Sequence, residues 1–156
     1  MKNNMFHKKG YAVIKNLIDP KLANFIYQYF LLKRKVADTL FRTTYIPPFN
    51  KDWGYYEDAV DGQVPHTYSI YGDIAMETLL QTAKPLIEKY TNTKLIETYA
   101  YARMYKKGDI LKRHKDRFSC EISSTINLGG DKWPIYIATK PSDGMYIAPK
   151  PLDGDK

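Results

Sequence analysis

His114-Lys115-Asp116 is the triplet whose spacing carries the clearest chemistry in this chain. In an extended strand residues i and i+2 point to the same face, so an imidazole and a carboxylate converge there. Those are two of the three donors of the two-histidine, one-carboxylate arrangement that binds Fe(II) and leaves coordination positions open. A histidine simply paired to a carboxylate at a strand end has the same spacing, and the triplet alone does not separate the two readings.

The elements that must position these residues follow from capping and periodicity. Asp19-Pro20 reads as a helix start, with a capping carboxylate followed by a residue suited to the first helical position, and Leu22, Phe25, Ile26 and Tyr29 recur at helical spacing. This predicts a helix to about Leu40. Asp73 caps a second predicted helix, Ile74 to Tyr90, with Ile74, Leu79, Leu80, Ala83, Leu86 and Ile87 on one face; Pro85 should kink or split it. Tyr11 to Asn16 alternates apolar and polar residues and reads as a short strand. Thr43 to Pro65 holds no persistent period and reads as a long loop or lid facing a substrate.

From Leu95 onward the texture is that of strands: Glu97 to Tyr105, Ile110 to Asp116, Glu121 to Leu128, Trp133 to Thr139 and Met145 to Pro149, separated by Gly- and Asp-rich turns. Helices first and antiparallel strands afterwards predict an α+β fold with helices packed on a sandwich or barrel. The 156 residues fit one domain, with a helical part over about 1–93 and a β part over about 94–156.

Composition narrows the setting. Hydrophobic residues at 44% and charged residues at 26% exclude a wholly disordered or collagenous chain. The single cysteine, Cys120, excludes an internal disulfide and a thiolate zinc cluster. The N-terminal residues lack the apolar core of a signal peptide, and the longest apolar stretch, Phe25 to Leu32, is too short to span a bilayer, so a cytoplasmic protein with no membrane partner is expected. The net charge of +7 attracts anions, but it is spread along the chain. Its densest run, Lys33-Arg34-Lys35, reads as a solvated helix face, and nucleic acid is not the expected partner.

The run from Tyr105 through Gly108, His114-Lys115-Asp116-Arg117, Cys120-Glu121, Thr125-Ile126-Asn127-Leu128 and Trp133-Pro134-Ile135 resembles the Fe(II)/2-oxoglutarate-dependent dioxygenases, in particular their prolyl-hydroxylase-like branch. The likeness covers about residues 97–155. It implies a double-stranded β-helix, a cupin-like jelly-roll with the earlier helices packed on it. It further implies His114 and Asp116 as catalytic iron ligands, Tyr105 as a hydrogen-bond donor to 2-oxoglutarate, and Thr125 and Asn127 as polar neighbours of that cosubstrate. Dioxygen, a peptide or small-molecule substrate and ascorbate as reductant complete the implied chemistry. Arg103, Arg117 and Glu121 are expected in local ion pairs.

One departure from the family pattern stands out. Relatives carry a distal histidine and then an Arg or Lys that pairs with the far carboxylate of 2-oxoglutarate, and no histidine follows His114. Pro149 to Asp155 resembles the turn before that strand, so the jelly-roll is expected to be truncated, the chain a fragment of a longer product or completed by another chain. His7 and His66 do not lie on the expected strand. An incomplete jelly-roll exposes a strand edge, through which a homodimer is expected. The alternatives are an inactive fragment or a non-catalytic basic module that binds nucleic acid or protein.

Overall fold

The computed structural model describes residues 5–56, 62–132, 134–137 and 146–148. Its two long helices begin where the capping carboxylates stand. Asp19 Oδ1 accepts from the amides of Lys21 and Leu22, opening α2, Pro20–Arg42; a short α1, Met5–Lys9, precedes it. Asp73 Oδ1 accepts from Ala75 and Met76, opening α3, Ile74–Thr91. Such caps satisfy amides that have no partner within the helix. Pro85 lies inside α3 without dividing it, because it faces outward while Met76, Leu79, Ala83 and Ile87 keep one buried face. The face differs in detail from the expectation: Ile74 and Leu86 are exposed, and Met76 is buried in their place.

Four antiparallel strands form a sheet in the order β1-β2-β3-β4, comprising Phe49–Asn50, Gly54–Tyr56, Tyr68–Tyr71 and Tyr101–Met104. A smaller sheet of three strands has the order β5-β7-β6, with β5 at His114–Lys115, β6 at Tyr136–Ile137 and β7 at Tyr146–Ala148. The fold is therefore α+β, as expected, and the four-stranded sheet is open, with β1 and β4 at its edges. The segment expected as a lid supplies β1 and β2, and β3 forms where no strand was predicted. Conversely, Tyr11 to Asn16 is not a strand: Val13 is 81% exposed, so its alternation buries nothing. Glu121 to Leu128 is likewise irregular, and the predicted turn from Pro149 to Asp155 lies outside the described residues.

Alternation along the strands divides the sheet into two unlike faces. Tyr68 and Ile70 of β3, with Ala102 and Met104 of β4, pack against Ile26, Phe30 and Ala37 of α2 and Met76 of α3. The opposite face carries Tyr55, Ser69, Tyr71, Tyr101 and Arg103, matched by the pairs Tyr55↔Ser69, Ser69↔Arg103 and Tyr71↔Tyr101. Leu128 reaches the core beside α2, and Gly129 lies so close to Tyr27 that a Cβ there would meet the ring at 2.6 Å.

Gly54 joins β2 to the turn before it at φ +84°, and a Cβ would stand 2.7 Å from the Ser69 carbonyl oxygen. Backbone strain and a clash with a neighbouring strand act together there. Gly54→Ala is expected to destabilise the fold by about 2–4 kcal/mol, read as a lowered denaturation midpoint with an unchanged slope. A loss under about 0.5 kcal/mol would contradict this packing.

Lys33 occupies a core-facing position of α2, between Phe30 and Ala37, instead of the solvated face expected of its charge run. Its side chain is 14% exposed and its Nζ meets Asp73 Oδ2 at 2.5 Å, while the Tyr29 hydroxyl donates to the same oxygen at 2.6 Å. Burial alone would raise the Asp73 pKa, but the Lys33 and Tyr29 hydrogen bonds outweigh it and hold the carboxyl below its usual 3.8. For Lys33 burial works downward, and the bonds to Asp73 and Tyr29 again prevail, raising its pKa. A depressed carboxyl pKa contributes stability that is present above the unfolded value and lost as pH falls through the folded one. Urea midpoints are therefore expected to decline below about pH 4, less steeply in Asp73→Asn than in the parent. Parallel profiles for the two proteins would remove Asp73 from the acid response.

Candidate functional site

Beyond β4 the chain turns at Lys106 to Asp109 before reaching β5, and polar contacts to the little-exposed Asp109 carboxylate hold that turn. The Asp109 carboxylate, 7% exposed, accepts from the Lys106 amide at 2.9 Å and pairs with Lys106 Nζ at 2.7 Å. Thr67 Oγ1 donates to it at 3.2 Å, which fastens the turn to the residues entering β3. Lys106 Nζ also donates to the carbonyl of His66 at 3.1 Å. Tyr105 thus stands at the end of β4 just before an anchored turn, and His114 follows five residues after Asp109.

His114 Nε2 and Asp116 Oδ1 lie 3.6 Å apart, their side chains 24% and 28% exposed. The other ring nitrogen, Nδ1, is 2.9 Å from the Lys112 carbonyl oxygen. A carbonyl only accepts, so Nδ1 donates to it, while Nε2 is the ring atom that faces the carboxylate. An imidazole nitrogen and a carboxylate oxygen at this distance make an ion pair when the ring is protonated, and the same two atoms are donors that a cation can use. Bonds of about 2.0–2.2 Å to a first-row ion reach across the gap, and a backbone carbonyl holding the distal N–H is the usual support of a ligating histidine. The same spacing is that of a simple histidine–carboxylate ion pair. Among the described residues no third His, Cys, Asp or Glu gathers with it. His7 lies on α1 with Nε2 2.7 Å from the Thr91 carbonyl, and His66 is exposed in a left-handed conformation at φ 59°.

His114, Asp116, Tyr105, Thr125 and Asn127 all border one broad open concavity of about 2930 Å³ that nearly every described residue from 93 to 137 lines, which does not by itself bring them together. That volume is well above the roughly 300–1,000 Å³ of a closed small-molecule pocket. Thr125 and Asn127 are exposed on an irregular segment instead of the expected strand, and Asn127 Oδ1 accepts from the Gly129 amide at 2.9 Å.

The cleft also contains arginines stacked on tyrosines, which the sequence reading assigned to ion pairs. Arg103 lies over Tyr101 and Tyr105, 5.0 and 5.5 Å from the ring centroids. Its Nη1 donates to the Tyr105 hydroxyl at 3.1 Å and its Nη2 to the Tyr101 hydroxyl at 3.3 Å and to Gln63 Oε1 at 3.2 Å. Arg117 lies over Tyr99 at 4.8 Å and over Tyr71 at 5.8 Å, and those two rings stack at 4.5 Å. Burial and then the Cys120 thiol push the Tyr99 phenol up to about 12, so it remains a neutral ring beneath the guanidinium. Tyr-x-Arg-x-Tyr at 101–105 is the sequence signal for the Arg103 cluster, since period 2 places all three on one face.

Compared with protein-family models, curated proteins and solved structures, the chain matches none. Among the described residues no helix is long and apolar enough to cross a membrane.

Proposed function

We propose that this chain is an Fe(II)- and 2-oxoglutarate-dependent oxygenase that hydroxylates a prolyl or other peptide side chain. The observation that carries the reading is the His114–Asp116 pair, whose Nε2 and Oδ1 face each other at 3.6 Å while the Lys112 carbonyl holds the other ring nitrogen. The sheet, with helices on one face and a cleft on the other, is compatible with one wall of a double-stranded β-helix, and closure into that jelly-roll is part of the proposal.

His114 and Asp116 would hold the iron, with one further donor needed to complete the set. Bound iron supplies the oxidising chemistry, in which 2-oxoglutarate and dioxygen give succinate and CO2 while one oxygen atom enters a substrate C–H bond. The chain's own residues orient and select. The Lys112 carbonyl orients the His114 ring, the Tyr105 hydroxyl donates to the cosubstrate, and Thr125 and Asn127 offer polar groups along the cleft. Incubation in air with Fe(II), 2-oxoglutarate and ascorbate is expected to produce succinate slowly without substrate and faster with a proline-containing peptide. Succinate at the level of a protein-free control with every peptide tried would oppose the reading.

A second reading, a non-catalytic basic module, draws on the arginine–tyrosine wall of the cleft, a composition that single-stranded nucleic acids also use. Binding to arbitrary RNA that weakens with salt and is undiminished in His114→Ala and Asp116→Ala would favour it.

A further inference from the structure

We infer that the turn from Arg117 to Cys120, with the basic stretch leading into it, is a docking surface for a single-stranded polynucleotide. This goes beyond the oxygenase reading and needs no metal. It rests on the basic-module reading and gives that partner a place apart from the Arg103 cluster.

Charge is the first ground. Residues 106–117 hold six Lys and Arg against Asp109 and Asp116, so this short stretch carries a net +4 of the chain's +7. Lys107, Lys112 and Arg117 are exposed, and among the described residues no carboxylate lies within ion-pairing distance of them. A chain of phosphates meets such a stretch with several contacts at once.

Stacking surfaces are the second ground. The Cys120 amide donates to the Arg117 carbonyl at 2.9 Å, closing a turn that carries Phe118, and the Cys120 thiol donates to the Tyr99 hydroxyl at 3.7 Å, which ties the turn to the residues before β4. Phe118 is 99% exposed. One bare ring is ordinary on a surface, but this one sits in a fastened turn beside a guanidinium at the end of a basic stretch. Arg117 lies over Tyr99, whose ring stacks on Tyr71, so the guanidinium rests on an aromatic floor and is still exposed. Phenyl rings and guanidinium planes both take unstacked bases. A duplex keeps its base faces covered and an acidic peptide brings charge without repeated flat faces, so a single strand is the occupant that uses charge and rings together.

The test is fluorescence anisotropy of the full chain with a labelled oligothymidylate of about twelve nucleotides and with an abasic strand of equal length and charge. The parent is expected to bind the thymidylate strand less tightly as salt rises, and the abasic strand at least about fivefold more weakly. Phe118→Ala should weaken the thymidylate strand by about 5- to 100-fold and leave the abasic strand within about twofold, with an unchanged melting temperature because the ring stands in solvent. Replacing Lys107 and Lys112 together by Gln should weaken both strands alike and flatten the log–log salt dependence by about one to two.

Equal affinity of the parent for the two strands, no effect of Phe118→Ala, or no effect of the lysine variant would overturn the inference and leave the basic-module reading standing. No binding of either strand at low salt would overturn both. The oxygenase reading is untouched by any of these results, since His114 and Asp116 enter none of them.

Discussion

Fe(II) affinity is expected to fall by more than about 100-fold in His114→Ala, exceeding the 10- to 100-fold typical of losing an outer partner of a metal ligand. The substitution removes the only imidazole that faces Asp116 among the described residues and leaves the fold little changed. His114 sits on a two-residue strand with a quarter of its side chain in solvent, so its truncation should cost within about 1 kcal/mol of stability. Asp116→Asn should weaken iron by a comparable factor, since it keeps the shape and removes the charge that a divalent ion requires. Calorimetric titration with Fe(II) under anaerobic conditions, beside a thermal melt of each variant, separates lost ligation from lost folding. Equal affinity in the parent and both variants would mean that the pair is a surface ion pair and nothing more.

The largest effect on stability is expected in Asp73→Ala. That change leaves Lys33 in a largely buried position without its counter-charge, which costs about 3 kcal/mol, and removes the cap of α3, worth about 1 kcal/mol. For a chain of this length the sum lowers the melting temperature by on the order of 10 °C. Asp73→Asn keeps a capping oxygen and should lose only the ionic part. Adding Lys33→Met to Asp73→Asn should restore much of that part, because replacing both members of a buried pair is far less costly than removing one. A melting temperature for Asp73→Ala within about 2 °C of the parent would show that the pair is not worth its burial.

What the sequence made legible is what local chemistry decides. Asp19-Pro20 and Asp73 announce both helix starts, because a cap is a contact between near neighbours in the chain. The convergence of His114 and Asp116 was legible for the same reason, being a matter of two residues two apart in the chain, although the strand itself stops at Lys115. The central strand of the larger sheet was not. Tyr68 to Tyr71 is only four residues long, and the partners that bury it come from α2, β2 and β4, up to more than thirty residues away. Lys33 was misread because a basic run looks solvated until Asp73, forty residues on, is folded against it. Tyr11 to Asn16 erred the other way, since alternation predicts a strand only where a partner strand exists to receive it. To the local ion pair expected of Arg103 the structure adds two tyrosines, its own neighbours at i−2 and i+2. Its position in the cleft became visible only once the register Ser69↔Arg103 fixed which face of the sheet it occupies.

The central claim is that His114 and Asp116 hold iron in a form that accepts 2-oxoglutarate. Its most direct test is an anaerobic titration of the purified chain with Fe(II) and then 2-oxoglutarate, followed by visible absorption, with His114→Ala alongside. A charge-transfer band that grows with 2-oxoglutarate in the parent and is missing in the variant is the predicted result. No band in the parent, or one of equal intensity in His114→Ala, would contradict the claim.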